Sequence, residues 1–260
     1  LIETAVLVSI PMLLAGKHEV HQGILRYLTI ITIGMPFILF AGWLMTGVVT
    51  LPPESPLVAQ TIIFLGLGFA IGLAVFPFHS WVPMVTHRSN PIASSFLLFI
   101  LPASILVFGL KFINRYEFIR TSAEVFRVIR VVGAVMVVFG GIWTAIQDDL
   151  KRAFGFAALV ETGISLLAIG LAPNGGLSLL LMALPARGLG YWFWGYVLTR
   201  MENHCDDLKM EAMRDCAKKA PFLSLGLLFA QLSIAGLPML ASFPIKMELF
   251  TMAISLNTSL

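Results

Sequence analysis

Four ionisable residues interrupt long apolar runs in this chain: Glu3, Glu161, Arg187 and Lys246. Where such runs cross a membrane, each charge is costly at its position and is a functional candidate for that reason. Lys246 follows AGLPMLASFP, whose glycine and prolines open the backbone and can bring water to an ammonium group. Burial disfavours the charged form of a lysine, which suits a group that must take up and release a proton. The plainer alternative is a lysine that snorkels or pairs with Glu248. Arg187, in LPARGLGYW, keeps its proton in any protein environment. It can set a field or anchor a carboxylate but cannot relay protons, and a structural ion pair is the reading we favour for it. Glu161, in ALVETGISL, is either a buried carboxylate able to carry a proton or the partner of a hydrogen bond to Thr162 or a neighbouring helix. Histidine changes charge near neutral pH, so His79 in PFHSWVP suits proton transfer and suits a plain hydrogen-bonded role equally well. There is no HExxH, CxxC, GxSxG or dinucleotide-binding glycine pattern, and Cys205 and Cys216 share one polar loop without metal-ligand partners at suitable spacing. No cofactor is expected in this chain.

The elements that position these residues follow from composition. Hydrophobic residues make up 58% of the 260 positions and charged residues 12%, with a mean hydropathy of +0.91. Average soluble domains are about half apolar and a quarter charged, and a fold of this size could not cover its surface with so few charges. Lipid is the solvent that removes the contradiction, which makes the chain an integral all-α membrane protein. The net charge of +3 does not indicate nucleic acid, because the basic residues lie between apolar runs and form no stripe.

A transmembrane helix needs about 20 apolar residues. Eight candidates follow: 1–16, 25–49, 57–88, 91–114, 125–147, 153–172, 176–199 and 222–258. The third and the last are too long for one straight helix. Pro77 and Pro83 interrupt the third, and Gly236, Pro238 and Pro244 the last. Backbone groups freed inside a bilayer must be met by protein or water, so broken helices sit at cavities. A pair of interrupted segments is the signal of a transporter built from two repeats, the plainer alternative being a pair of kinked packing helices. With eight alternating spans, ten basic residues fall on one side (Lys17, Arg26, Arg88, Lys151, Arg152, Arg200, Lys209, Arg214, Lys218, Lys219) and five on the other (Lys111, Arg115, Arg120, Arg127, Arg130). The excess places the first side, with the 200–219 loop, in the cytoplasm. That loop mixes both signs and reads as a short amphipathic surface helix. The sequence begins and ends within apolar runs, at Leu1 and Leu260, and so reads as a piece of a longer protein.

Three stretches carry a resemblance. PFHSWVPMVTHRSNPIASS (77–95), IQDDLKRAFGFAALVETGISLLAIG (146–170) and LSIAGLPMLASFPIKMELF (232–250) resemble, in order and spacing, signatures of the antiporter-like membrane subunits. These subunits occur in respiratory complex I, related membrane hydrogenases and multisubunit sodium/proton antiporters. The resemblance covers the whole chain as a single domain, 1–260, corresponding to the family's fifth to twelfth helices. It implies two inverted five-helix repeats, each with a broken helix, and a midplane chain of buried lysines, histidines and glutamates. It adds Asp149 and Lys151 to the proton-relay candidates Lys246, Glu161, His79 and Glu3. It also implies other membrane subunits as partners, protons or sodium as the ions, and a bacterial or archaeal cytoplasmic membrane.

The sequence departs from the family at three charged positions. The lysine five residues before the PFH proline is Gly72, the lysine of the next helix is Ser104, and the glutamate of the first helix is Val6, with Glu3 one turn earlier on the same face. Lys246 matches the twelfth-helix lysine, Glu161 takes a position often held by His or Gln, and Arg187 stands where a lysine is usual. The leading expectation is an antiporter-like subunit of a complex I-type or hydrogenase-type assembly, its redox chemistry lodged in partner subunits. The alternatives are a degenerate structural subunit and a subunit of a multisubunit sodium/proton antiporter.

Overall fold

The computed structural model describes residues 22–48, 55–205 and 208–258. The expected span 1–16, with Glu3 and Val6, lies outside the described residues. The chain forms helices α1 (Gln22–Val48), α2 (Pro56–Gly72), α3 (Trp81–Arg88), α4 (Pro91–Arg115), α5 (Glu117–Arg120), α6 (Ala123–Ala145), α7 (Leu150–Gly170), α8 (Gly176–Glu202), α9 (Met213–Lys219), α10 (Pro221–Ala235) and α11 (Phe243–Thr258). Among the described residues the only sheet-like pairing is one antiparallel bridge, Asp149 with Lys209. Among the described residues four helices are long and apolar enough to cross a bilayer, over 22–47, 91–115, 123–145 and 150–170, and α2 and α10 are shorter apolar helices. The five unbroken spans expected among the described residues are single helices whose ends lie within three residues of those expected. Local sequence sets their starts. Pro56, Pro91 and Pro221 open α2, α4 and α10 at positions whose N–H has no helical partner. The side chains of Asn90 and Asp149 accept from Ile92 N and Arg152 N at 2.9 and 2.8 Å, capping α4 and α7.

Both long segments are broken, as their prolines and glycine require, but at narrower positions than those residues suggested. The first break runs from Leu73 to Ser80, with a 3₁₀ turn at Phe78–Ser80 and a cis Phe76–Pro77 peptide. The second runs from Gly236 to Ser242. Pro83 interrupts nothing, because it sits in the first turn of α3, and Pro244 likewise lies in the first turn of α11. Among the described residues the two non-glycine positions of positive φ, Ala74 (55°) and Met239 (77°), fall one in each break.

Helix α7 is the centre of the molecule, with nearly every residue buried. It packs against α6, α3 and α8. The α6–α7 contact is a backbone contact: a Cβ built on Gly133 would lie 2.8 Å from the Gly163 carbonyl oxygen, and one on Gly163 would lie 2.9 Å from that of Gly133. Small residues that let helices approach this closely are how membrane helices associate when water supplies no driving force.

Candidate functional site

The second break assembles the site. α10 ends in Gly236, whose φ of 84° turns the chain out of the helix. The ending leaves carbonyls of its last turn without helical donors. Two side chains from beyond the break meet them: Ser242 donates to Ser233 O, and Lys246 Nζ donates to Ile234 O. Lys246 Nζ also donates to Glu161 Oε1, which joins α11 to the middle of α7. The two side chains are 11% and 8% exposed, so this is a buried ion pair. The ammonium therefore faces a carboxylate and the C-terminal carbonyls of α10 together. The expected alternative, a pair with Glu248, is not what forms: Glu248 is exposed.

Arg187 completes the group from α8. Its Nη1 donates to Ser165 Oγ at 2.8 Å and to the Glu161 carbonyl at 3.4 Å, and its Cζ lies 5.4 Å from the centre of the Tyr191 ring. The ion pair expected for it does not form with any described carboxylate; Glu161 turns its carboxylate to Lys246 and offers Arg187 its backbone oxygen. A cavity of about 30 Å³ opens among these groups, lined by Glu161, Ser165, Arg187, Ser233, Ser242 and Lys246 together with apolar side chains. That is room for about two waters.

The first break has no such group. The cavity beside it, about 10 Å³, is lined by Gly72, Leu73, Ala74, Trp81, Val82, Leu98, Pro102, Ala158, Leu159 and Thr162, none of them ionisable. His79 lines neither cavity. It sits in an aromatic surround, its ring 5.6 Å from Phe76, 4.9 Å from Phe139 and 6.3 Å from Phe156, with Nδ1 buried and unbonded.

Asp149 and Lys151 belong to a third place, the end of α7 where α3 and α8 also terminate. His87 Nδ1 meets Asp149 Oδ2 at 3.1 Å, and Lys151 Nζ donates to Glu202 Oε1 at 2.7 Å with its side chain 7% exposed. The 200–219 loop covers this end. Met210 N bonds Asp148 O at 2.8 Å and Leu150 N bonds Leu208 O at 3.2 Å. A Cys205–Cys216 disulfide staples the loop, a pairing the sequence spacing alone did not indicate. Its helical part is short, a 3₁₀ turn at Met210–Ala212 followed by α9. Ten residues separate Lys151 from Glu161, about 15 Å of helix rise. Between them the rings of Phe154, Tyr191 and Trp194 fill the α7–α8 seam, with centroids 5.5 and 5.0 Å from Phe154. Glu202 and Ser165 were not singled out from the sequence. Their partners lie 51 and 22 positions away, and no local pattern marks such pairs.

Comparison with known proteins agrees with this architecture. The profile of the NADH:quinone oxidoreductase/Mrp antiporter transmembrane family matches residues 24–260. NADH-quinone oxidoreductase subunit 14 of Thermus thermophilus is 29% identical over 250 residues, covering 90% of this chain and 53% of the relative. Among solved structures, an archaeal membrane-bound sulfane sulfur reductase complex contains a chain similar with a TM-score of 0.85 at 16% identity, covering 97% of this chain and 54% of that one. The Mrp complex of a Dietzia species contains one with a TM-score of 0.84 at 17% identity, covering 99% and 50%. This chain spans about half the length of the curated relatives it matches, from 42% to 53% for the first three. It is an integral membrane protein with an antiporter-like all-α fold, and it belongs to the NADH:quinone oxidoreductase/Mrp antiporter transmembrane family.

Proposed function

We propose that this chain is the proton-handling portion of an antiporter-like subunit in a complex I-type assembly. Lys246 and Glu161 exchange the proton, and Arg187 is a fixed charge that sets the field around them. The observation that carries this reading is the buried Lys246–Glu161 pair at a helix break, opening on a polar cavity. A proton moved from the ammonium to the carboxylate leaves two neutral groups beside a guanidinium that cannot titrate. The Lys151–Glu202 and His87–Asp149 pairs mark the face from which the α7–α8 seam would be supplied, and the aromatic cluster in that seam must admit water for conduction. Redox chemistry and its cofactors belong to partner subunits. The 1–260 stretch is equivalent to the family's fifth to twelfth helices, the two breaks are related by a pseudo-two-fold axis, and the 200–219 loop faces the cytoplasm.

A second reading has its own observation. The first break carries no ionisable group at its cavity, as expected of a subunit that keeps the fold and interfaces but conducts nothing. The Lys246→Met substitution separates the two. Methionine keeps an apolar stem and removes the titrating group. In vesicles holding the assembled complex, proton translocation per electron should fall, and Lys246→Arg should fail almost as badly. Unchanged pumping at normal assembly would leave the scaffold reading.

A further inference from the structure

Glu161 is met by two cations and receives them differently. Its carboxylate goes to Lys246 and its backbone oxygen to Arg187. Among the described residues it is the only carboxylate lining the cavity at the second break, and both cations line the same cavity. With about 30 Å³ of free space among the three, a guanidinium drawn to the carboxylate has room to reach it. Ser165 is what holds it elsewhere. Residues four apart share a helix face, and the Ser165 hydroxyl donates to Glu161 O at 2.9 Å. A serine hydroxyl has one proton. With that proton committed to the backbone, the oxygen can only accept, and it accepts from Arg187 Nη1 at 2.8 Å. The direct bond from Nη1 to Glu161 O is longer, 3.4 Å. Tyr191 also holds the guanidinium, by a side-chain hydrogen bond and with its ring centre 5.4 Å from Cζ. Tyr191 lies one turn along the arginine's own helix and moves with it, so Ser165 is the main tie to α7.

We propose that Ser165 is a positioning residue, which holds Arg187 on the backbone of Glu161 and off the Glu161 carboxylate. This deepens the proton exchange proposed above and rests on it. A guanidinium commonly bonds a carboxylate through both oxygens, and those are the atoms that receive the proton from Lys246. Tied to Ser165, Arg187 supplies its charge to the site without occupying them. Among the described residues no further charged side chain lines the cavity, so Arg187 is the one cation that competes with Lys246 for the carboxylate.

The test uses the full-length protein in its assembled complex. In the structure of Ser165→Ala, determined at rest, a guanidinium nitrogen of Arg187 should lie within hydrogen-bond reach of the Glu161 carboxylate. In vesicles, the same variant should slow proton translocation by at least about tenfold, the scale expected of a misplaced group. Ser165→Thr keeps a hydroxyl that can bond the same carbonyl, and it should restore both the geometry and the rate. In an Arg187→Gln background Ser165→Ala should add nothing, because it acts through the arginine. An unmoved Arg187 in Ser165→Ala would overturn the proposal. So would equal slowing by Ser165→Ala and Ser165→Thr, or a full further loss in the absence of Arg187. Loss of assembly in both Ser165→Ala and Ser165→Cys would make the hydroxyl a folding requirement and overturn it too. The structural arm needs no turnover. Unchanged pumping in Lys246→Met would therefore remove the relay and leave that arm standing, whereas an unmoved arginine would remove the role of Ser165 and leave the relay.

Discussion

Removing the carboxylate of Glu161 should damage the protein more than removing the whole Lys246–Glu161 pair. In Glu161→Gln, Lys246 and Arg187 are left as two cations facing carbonyl dipoles in a site that is nearly closed to solvent. Two unit charges near 4 Å attract by about 4 kcal/mol at an effective dielectric of 20, and breaking a buried pair from one side costs about 3–5 kcal/mol. Lys246→Met removes the same attraction and also the donor to Ile234 O, worth about 1 kcal/mol. In the double variant Arg187 stays as charged as it is in Glu161→Gln, but Lys246 is no longer stranded beside it, and replacing a buried ion pair by neutral residues is often close to neutral. What remains is the lost cap and some loosened packing, so a coupling of at least about 2 kcal/mol should appear. The assay is a double-mutant cycle on the full-length protein in bicelles, unfolded by titration with sodium dodecyl sulfate. Single-variant losses that add to the double-variant loss within about 0.5 kcal/mol, the tolerance for independent sites, would refute a buried pair at this position.

Gly163→Val should cut folded protein sharply, because its Cβ alone would stand 2.9 Å from the Gly133 carbonyl oxygen and overpacking costs about 1–3 kcal/mol. Gly141→Val on the same helix pair meets nothing within 4 Å and should be tolerated, a contrast readable as detergent-solubilised yield and Tm. In sealed cells treated with an impermeant reductant, Cys205 and Cys216 should stay unlabelled by an impermeant maleimide. The reductant is required because the paired cysteines cannot react, and labelling after reduction would put the 200–219 loop on the outer side, where disulfides persist.

Much of the fold was legible because membrane helices announce themselves by apolar length, and prolines and glycines announce their breaks. What failed was finer. Pro83 and Pro244 looked like interruptions, yet the first turn of a helix has no use for the N–H that proline lacks. Lys246 and Glu161 were each visible as misplaced charges, but that they face one another depends on α11 folding back against α7 across 85 positions. Arg187 was expected to hold a carboxylate. Charge type alone cannot reveal that Glu161 would be claimed by the lysine, which arrives from α11. His79 was flagged by its chemistry, and its place in an aromatic surround comes from Phe139 and Phe156 on two other helices. Asp149 serves α7 as its cap while it pairs with His87, two tasks that one short motif does not separate.

The two breaks close their helix ends by different means. At the first, backbone donors meet the helix end: Leu73 N bonds Phe69 O, Ala74 N bonds Ile71 O, Val75 N bonds Ala70 O and Phe78 N bonds Val75 O. The Phe69, Ala70 and Ile71 carbonyls at the end of α2 are thus met by backbone donors, without a side chain from position 72. At the second, Ser233 O and Ile234 O depend on Ser242 and Lys246, and the lysine holds the helix end as well as the carboxylate. These duties do not conflict with proton transfer. A neutral lysine still carries two N–H donors, so Lys246 can give its proton to Glu161 and keep its bond to Ile234 O. Arginine at the same position would supply the bond and withhold the proton. If Lys246→Arg retains folding and loses pumping, the cap and the relay are separate properties of one side chain.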